Sequence, residues 1–260
     1  MAVKRMFDRD AAAIEQFKQE VTILAKLRHP NLILFMGYCL TPELCIVSEF
    51  MHKGCLYNIM RDHDGIPMAP AYTQIILVSV ARAMAYLHSR QPPILHLDLK
   101  SPNILIDNAW RVKITDFGLS RLRNRTLVSG ISGGHGTPHW MSPETIRGER
   151  IDERSDVYSF GVIMWELLTG KAPWAHLNPI QVIAAVGFKN RHLARPDHPD
   201  TVLISLMESC FAQNPNDRPT FPEILEVLDA RYRPAPPPPQ QPMPRLQIKK
   251  QSGTSESLEP

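Results

Sequence analysis

No apolar run in this 260-residue chain approaches the roughly 20 residues that cross a membrane as a helix. Its opening, Met1-Ala2-Val3-Lys4-Arg5, has no signal-peptide apolar core. Cysteine is scarce: Cys39, Cys45, Cys55 and Cys210 form neither a C-x-x-C pair nor a metal-ligand spacing. That argues against a zinc site and for free, mostly buried thiols in a reduced compartment. Net charge is scarce as well, since 29 basic residues against 26 acidic leave only +3. Such a balance gives no reason to expect nucleic acid or a membrane surface as partner. A cytoplasmic setting, or a nuclear one, is the expectation. What the chain does have is apolar residues, 43% of the total, enough for a large core in one domain or two tightly joined lobes.

The stretch His96-Leu97-Asp98-Leu99-Lys100-Ser101-Pro102-Asn103 packs an acid, a base and an amide into eight residues. Apolar strand patterns flank it, Ile94-Leu95 before and Ile104-Leu105-Ile106 after. Polar groups held between buried strands are expensive unless they are used. Asp98 can accept a proton, Lys100 can neutralise an anion, and Asn103 can offer an amide oxygen to a hard cation. Ten residues past Ile106 stand Asp116-Phe117-Gly118, an acid, an aromatic and a flexible glycine.

The surrounding segments read as alternating helices and strands. Asp10 to Leu27 is expected to be an amphipathic helix, with Ile14, Phe17, Val21 and Leu24 in one stripe and Glu20 on its edge. Taken alone, Glu20 reads as a rim carboxylate and Lys4 as a solvated charge. Residues 31–37 and 44–50 are apolar runs of strand length joined by a turn at Thr41-Pro42-Glu43. Ala71 to Ser89 is a second helix, with Ile76, Val80, Ala83 and Leu87 as its stripe. Trp110 to Ile114 alternates like a strand. Leu119 to His139 is rich in Ser, Gly and Arg without a period, so a long mobile and functional loop is expected there. Ser155 to Thr169 is apolar nearly all round, as a buried helix would be. Its Asp156 either caps its own helix or holds the 96–103 loop. After Tyr232 the composition shifts: residues 233–260 hold eight of the 24 prolines, Pro236 to Pro239 in a row, and read as a disordered polyproline tail.

In this order and at this separation, the 96–103 stretch and Asp116-Phe117-Gly118 resemble the catalytic loop and metal-binding turn of eukaryotic protein kinases. The segment Arg28-His29-Pro30-Asn31 with Leu34-Phe35-Met36-Gly37 is similar to Raf-like and mixed-lineage kinases of the tyrosine-kinase-like group. Gly136-Thr137-Pro138-His139-Trp140-Met141-Ser142-Pro143-Glu144 is similar to the close of that group's activation segment, with Ser142 in place of Ala. The resemblance covers roughly residues 1–232. It implies an α+β, two-lobed protein-kinase-like fold: a truncated small β lobe plus one helix over residues 1–51, a large mainly α-helical lobe over 52–232, and the tail.

It also implies roles. Asp98 would orient a substrate hydroxyl and take its proton, and Lys100 with Thr137 resembles the serine/threonine-specific pattern. Lys4, paired with Glu20, would hold the inner phosphates of ATP, while Asn103 and Asp116 would bind Mg²⁺. Ser48 would guard the back of the nucleotide pocket, Glu49-Phe50-Met51 would offer backbone to the adenine, and Leu105 would contact the nucleotide. Asp156 would hold the catalytic loop, and Arg218 would pair with Glu144 in a structural role. A protein substrate is implied, together with a possible side-to-side dimer through the Arg28 region and an SH3- or WW-type partner for the tail. Two departures matter. Leu97 stands where the family has an arginine that receives an activation-segment phosphate, so Thr126, Ser129 or Ser132 are not expected to switch the enzyme by that route. No G-x-G-x-x-G precedes Lys4, so the readings are an N-terminally incomplete kinase, a kinase with an open nucleotide roof, or a pseudokinase binding module.

Overall fold

The computed structural model describes residues 1–6, 11–62, 66–117, 121–122 and 137–232. Expectations that fall on Asp10, Gly118, Thr126, Ser129, Ser132, Gly136 and the tail 233–260 lie outside the described residues.

The small lobe is a three-stranded antiparallel sheet with one helix against it. Strand β1 (Ala2–Arg5) is followed by helix α1 (Ala11–Leu24) and strands β2 (Phe35–Cys39) and β3 (Cys45–Ser48). The order is β1-β3-β2, with Lys4 opposite Ile46 and Tyr38 opposite Ile46 on the other side. Helix α1 turns Phe17 and Leu24 into the core, as its stripe predicts, and carries Glu20 in with them.

Strand boundaries differ from the sequence reading. Asn31 to Leu34 precedes β2 instead of forming its first half. The cause is a competing partner. Ile33 N–H donates to the Ile114 carbonyl (2.9 Å), Ile114 N–H donates to the Asn31 carbonyl (2.9 Å), and Leu32 forms a parallel bridge with Ile114. Leu32 and Ile33 are buried there, which explains their apolar character without a strand in the small sheet.

The large lobe starts with strand β4 (Gly54–Cys55) and helices α2 (Leu56–Arg61) and α3 (Pro70–His88). Proline in the first turn of α3 suits a position whose N–H has no intrahelical acceptor. Ile76, Val80, Ala83 and Leu87 are all fully buried. Strands β5 (Ile94–Leu95), β6 (Ile104–Ile106), β7 (Val112–Ile114) and β8 (Arg121–Leu122) follow. The loop expected over 119–139 is therefore interrupted: residues 121 and 122 pair antiparallel with β5.

The remaining helices are α4 (Pro143–Arg147), α5 (Glu153–Thr169), α6 (Pro179–Val182, continuing as a π-helical stretch to Phe188), α7 (Thr201–Cys210) and α8 (Phe221–Tyr232). Helix α5 is the spine of the lobe. Asp152 caps its N-terminus, and Gly170 ends it at φ +67°. At Gly161 an added Cβ would come within 2.8 Å of Cys210 Cβ, so α7 approaches α5 more closely than any side chain would permit. A buried ion pair closes the lobe, with Arg218 Nη1 and Nη2 at 2.6 and 2.9 Å from the two Glu144 oxygens. Among the described residues no helix is long and apolar enough to cross a membrane.

Candidate active site

The loop between β5 and β6 is fixed by α5, although it carries the polar groups. Asp156 accepts the backbone N–H of His96 (2.9 Å) and of Leu97 (2.8 Å), and its Oδ2 lies 2.9 Å from His88 Nε2. Of the two roles open to Asp156 in the sequence, it takes the loop. Burial pushes its carboxyl up, but the His88 ring and the His96 contacts outweigh that and hold it below the usual range. Leu97 sits at φ +62°, a left-handed conformation that costs a residue with a Cβ about 1 kcal/mol. Turning the chain this way aims two successive N–H groups at one carboxylate.

Downstream of that anchor, four side chains converge. Asn103 Nδ2 donates to Asp98 Oδ2 (2.9 Å) and to the Asp98 carbonyl (2.8 Å). Lys100 Nζ lies 2.9 Å from Asp98 Oδ2 and donates to Thr137 Oγ1 at 3.2 Å. The structure therefore brings Asp98, Lys100, Asn103 and Thr137 into one cluster, with Thr137 delivered from 37 residues away.

A second cluster joins the lobes. Lys4 Nζ lies 2.9 and 3.2 Å from the Glu20 oxygens and 2.9 Å from Asp116 Oδ1. Glu20 is 4% exposed, whereas Lys4 and Asp116 are about half open. Burial alone would pull the Lys4 ammonium down; the Glu20 and Asp116 carboxylates outweigh it and hold its pKa above the ordinary lysine value. Burial pushes the Glu20 carboxyl up against the pull of Lys4. Asp116 is at φ +65°, a second left-handed residue at the cleft. Behind it, Phe117 is buried against the His96 ring (5.2 Å), and His96 Nε2 is 3.2 Å from the Thr115 carbonyl.

The family model for protein tyrosine and serine/threonine kinases matches residues 1–228. The chain belongs to that family. Serine/threonine-protein kinase CTR1 of Arabidopsis thaliana is 44% identical over 243 residues, 92% of this chain and 30% of the relative. The probable serine/threonine-protein kinase SIS8, also of Arabidopsis thaliana, is 44% identical over 237 residues, 90% of this chain and 23% of the relative. In Dictyostelium discoideum, the probable serine/threonine-protein kinase drkB is 39% identical over 218 residues, 84% of this chain and 31% of the relative. The chain thus spans less than a third of the length of these relatives.

The nucleotide-facing residues expected of a kinase lie along the crossing between lobes. Ser48 ends β3, and its hydroxyl donates to the Glu49 carbonyl (3.3 Å). The Glu49 side chain points back instead, accepting Leu34 N–H (2.7 Å) and pairing with Lys113 Nζ (2.8 Å). Met51 is buried. Leu105 stands opposite Cys55 and Lys113 and shares a face with them, below the crossing. Arg28 has a local use: its guanidinium donates to the Leu24, Ala25 and Leu27 carbonyls and caps the end of α1. The cysteines differ from expectation, since only Cys210 is buried and Cys39, Cys45 and Cys55 are half-exposed.

For a kinase cation, the donor set fits. Asn103 spends its amide hydrogens on Asp98, which turns its oxygen the other way, and Asp116 adds a carboxylate. One neutral and one charged oxygen suit a hard divalent ion such as Mg²⁺.

Sequence reasoning missed one buried hub. Glu166 in α5 has no exposed surface and accepts from Ser101 Oγ (2.8 Å) and Trp140 Nε1 (2.8 Å), with Arg61 Nη2 at 3.6 Å. Burial pushes its carboxyl up to about 7, against those two donors and the Arg61 charge. It ties the 96–103 loop to the segment after Thr137. The available signal was an acid inside an otherwise apolar helix.

Proposed function

We propose that this chain is the catalytic part of an ATP-dependent serine/threonine kinase of the tyrosine-kinase-like, Raf-like or mixed-lineage kind, acting on protein hydroxyls. The carrying observation is the convergence of Asp98, Lys100, Asn103 and Thr137 beside the Lys4–Glu20–Asp116 cluster. Asp98 positions the substrate hydroxyl and accepts its proton, its carboxylate aimed by Asn103. Lys100 lies between Asp98 and Thr137, where it meets negative charge on the group in transit. Lys4, held by Glu20, binds the inner phosphates. Asn103 and Asp116 would hold Mg²⁺, which would supply positive charge against that of the phosphates.

The pseudokinase reading has no residue in its favour, because every charged group that transfer requires is present. Signalling in the cytoplasm or nucleus, a dimer through the Arg28 region and an SH3- or WW-type partner for the proline-rich tail belong to the same proposal, supported by the family resemblance and by tail composition. The test is transfer of radiolabelled phosphate from ATP to a generic protein substrate, with Asp98→Asn alongside. Transfer by the chain and a loss of at least about 100-fold in the variant are expected. Equal background rates would sink the proposal.

A further inference from the structure

Cys39 and Cys45 face each other as direct partners at the end of the β2–β3 ladder. Opposed residues of an antiparallel pair share a face, with Cα atoms about 4.5 to 5.5 Å apart. A disulfide needs Cα atoms about 4.4 to 6.8 Å apart, so the backbone already meets the requirement. Both side chains are half-exposed. Cys39 Sγ donates to the Thr41 carbonyl at 2.7 Å, over the hairpin turn and outside the core. On its other side Cys45 is opposite Arg5, whose guanidinium is 3.5 Å from Glu43. No other cysteine competes within the sheet, since Cys55 pairs with Leu105 elsewhere and Cys210 is fully buried between α5 and α7.

We propose that Cys39 and Cys45 form a redox modification site, a thiol pair that a hydroperoxide oxidises to an intrachain disulfide across the β2–β3 hairpin. With hydrogen peroxide, one thiolate attacks a peroxide oxygen, the O–O bond breaks, and the departing hydroxide is protonated to water, leaving a sulfenic acid. The second thiol then attacks that sulfur, the S–O bond breaks, and a second water leaves. Two thiols lose two electrons, and the peroxide is reduced to two waters. The new bond lies one residue from Ile46, the cross-strand partner of Lys4, so it braces the sheet that presents the lysine. This inference does not depend on phosphoryl transfer.

The test treats the whole chain with hydrogen peroxide, digests it without reduction and reads masses. A loss of two hydrogens, about 2 Da, is expected on the fragments carrying Cys39 and Cys45, reversed by dithiothreitol. The oxidised chain should unfold several degrees higher. Cys39→Ser and Cys45→Ser should each abolish both effects and leave the remaining thiol as a sulfenic acid that dimedone traps, whereas Cys55→Ser should keep them. Thiols that stay alkylatable, that reach sulfinic acid without linking, or that bridge two chains would each overturn the proposal.

Discussion

Glu166 shows what a single buried acid does when its neighbours can only partly repay it. Trp140 Nε1–H donates and cannot accept, while the Ser101 hydroxyl can do either. The carboxylate form satisfies both donors; the acid form obliges Ser101 to turn around. Unfolded, this carboxyl titrates near 4.5, and folded near 7. Between those values the folded chain holds the extra proton, so Glu166 makes stability fall as pH rises from 4.5 to 7, with no further loss above. The slope is on the order of 3 kcal/mol in total. Glu166→Gln should flatten it: urea midpoints at pH 5 and pH 8 should lie closer together in the variant than in the parent chain. Parallel pH profiles would refute this assignment. Arg218 is the contrasting case, a buried charge paired face to face with Glu144, which burial pushes up but the guanidinium holds below the usual carboxylate range.

Among the elements, α5 does most to position the chemistry without touching it. Asp156 at its start fixes the backbone at His96 and Leu97, and Glu166 near its end fixes Ser101 and Trp140. Asp156→Asn keeps the shape but turns an amide group toward two N–H donors. Its kcat should fall about 10- to 100-fold while the KM for ATP changes by less than about threefold, measured by steady-state kinetics. A rise in KM with unchanged kcat would show that the anchor serves nucleotide binding instead. The stripes of α1 and α3 were legible in the sequence because a helix writes its buried face at a fixed period. The polar cluster of the 96–103 loop was legible because its acid, base and amide lie within eight residues. Two features were not. Asn31 to Leu34 reads as strand because buried loop and buried strand leave the same apolar run, and the deciding partner, Ile114, is far along the chain. Glu166 announces a buried acid, but its partners are 65 and 26 residues distant, and no local pattern names them.

For the whole molecule, nucleotide binding should engage both lobes, since Lys4 and Glu20 come from one and Asn103 and Asp116 from the other. Mg²⁺ with ATP at about 100 times its dissociation constant should stabilise the fold by about 2.7 kcal/mol, read as a rise in thermal midpoint. Lys4→Met should lose most of that shift, each protein being compared with its own ligand-free midpoint, which in the variant should fall because Glu20 stays buried without its cation; a full shift in the variant would remove Lys4 from the site. The rear of the cleft constrains how this engagement proceeds. The chain crosses between lobes at Glu49 to Met51, and the Asn31–Ile33 segment is fastened to β7, with Lys113 reaching both the Glu49 carboxylate and the Leu32 carbonyl. Two pins on one side would define an axis, about which rotation is the motion expected of one lobe against the other. Strand β1 is the outermost strand from that axis, across the sheet from β2. Such a rotation would carry Lys4 along the longest arc of the three strands, and the gap between it and Asp116, 2.9 Å here, would serve as the molecule's own protractor for how far the cleft had opened.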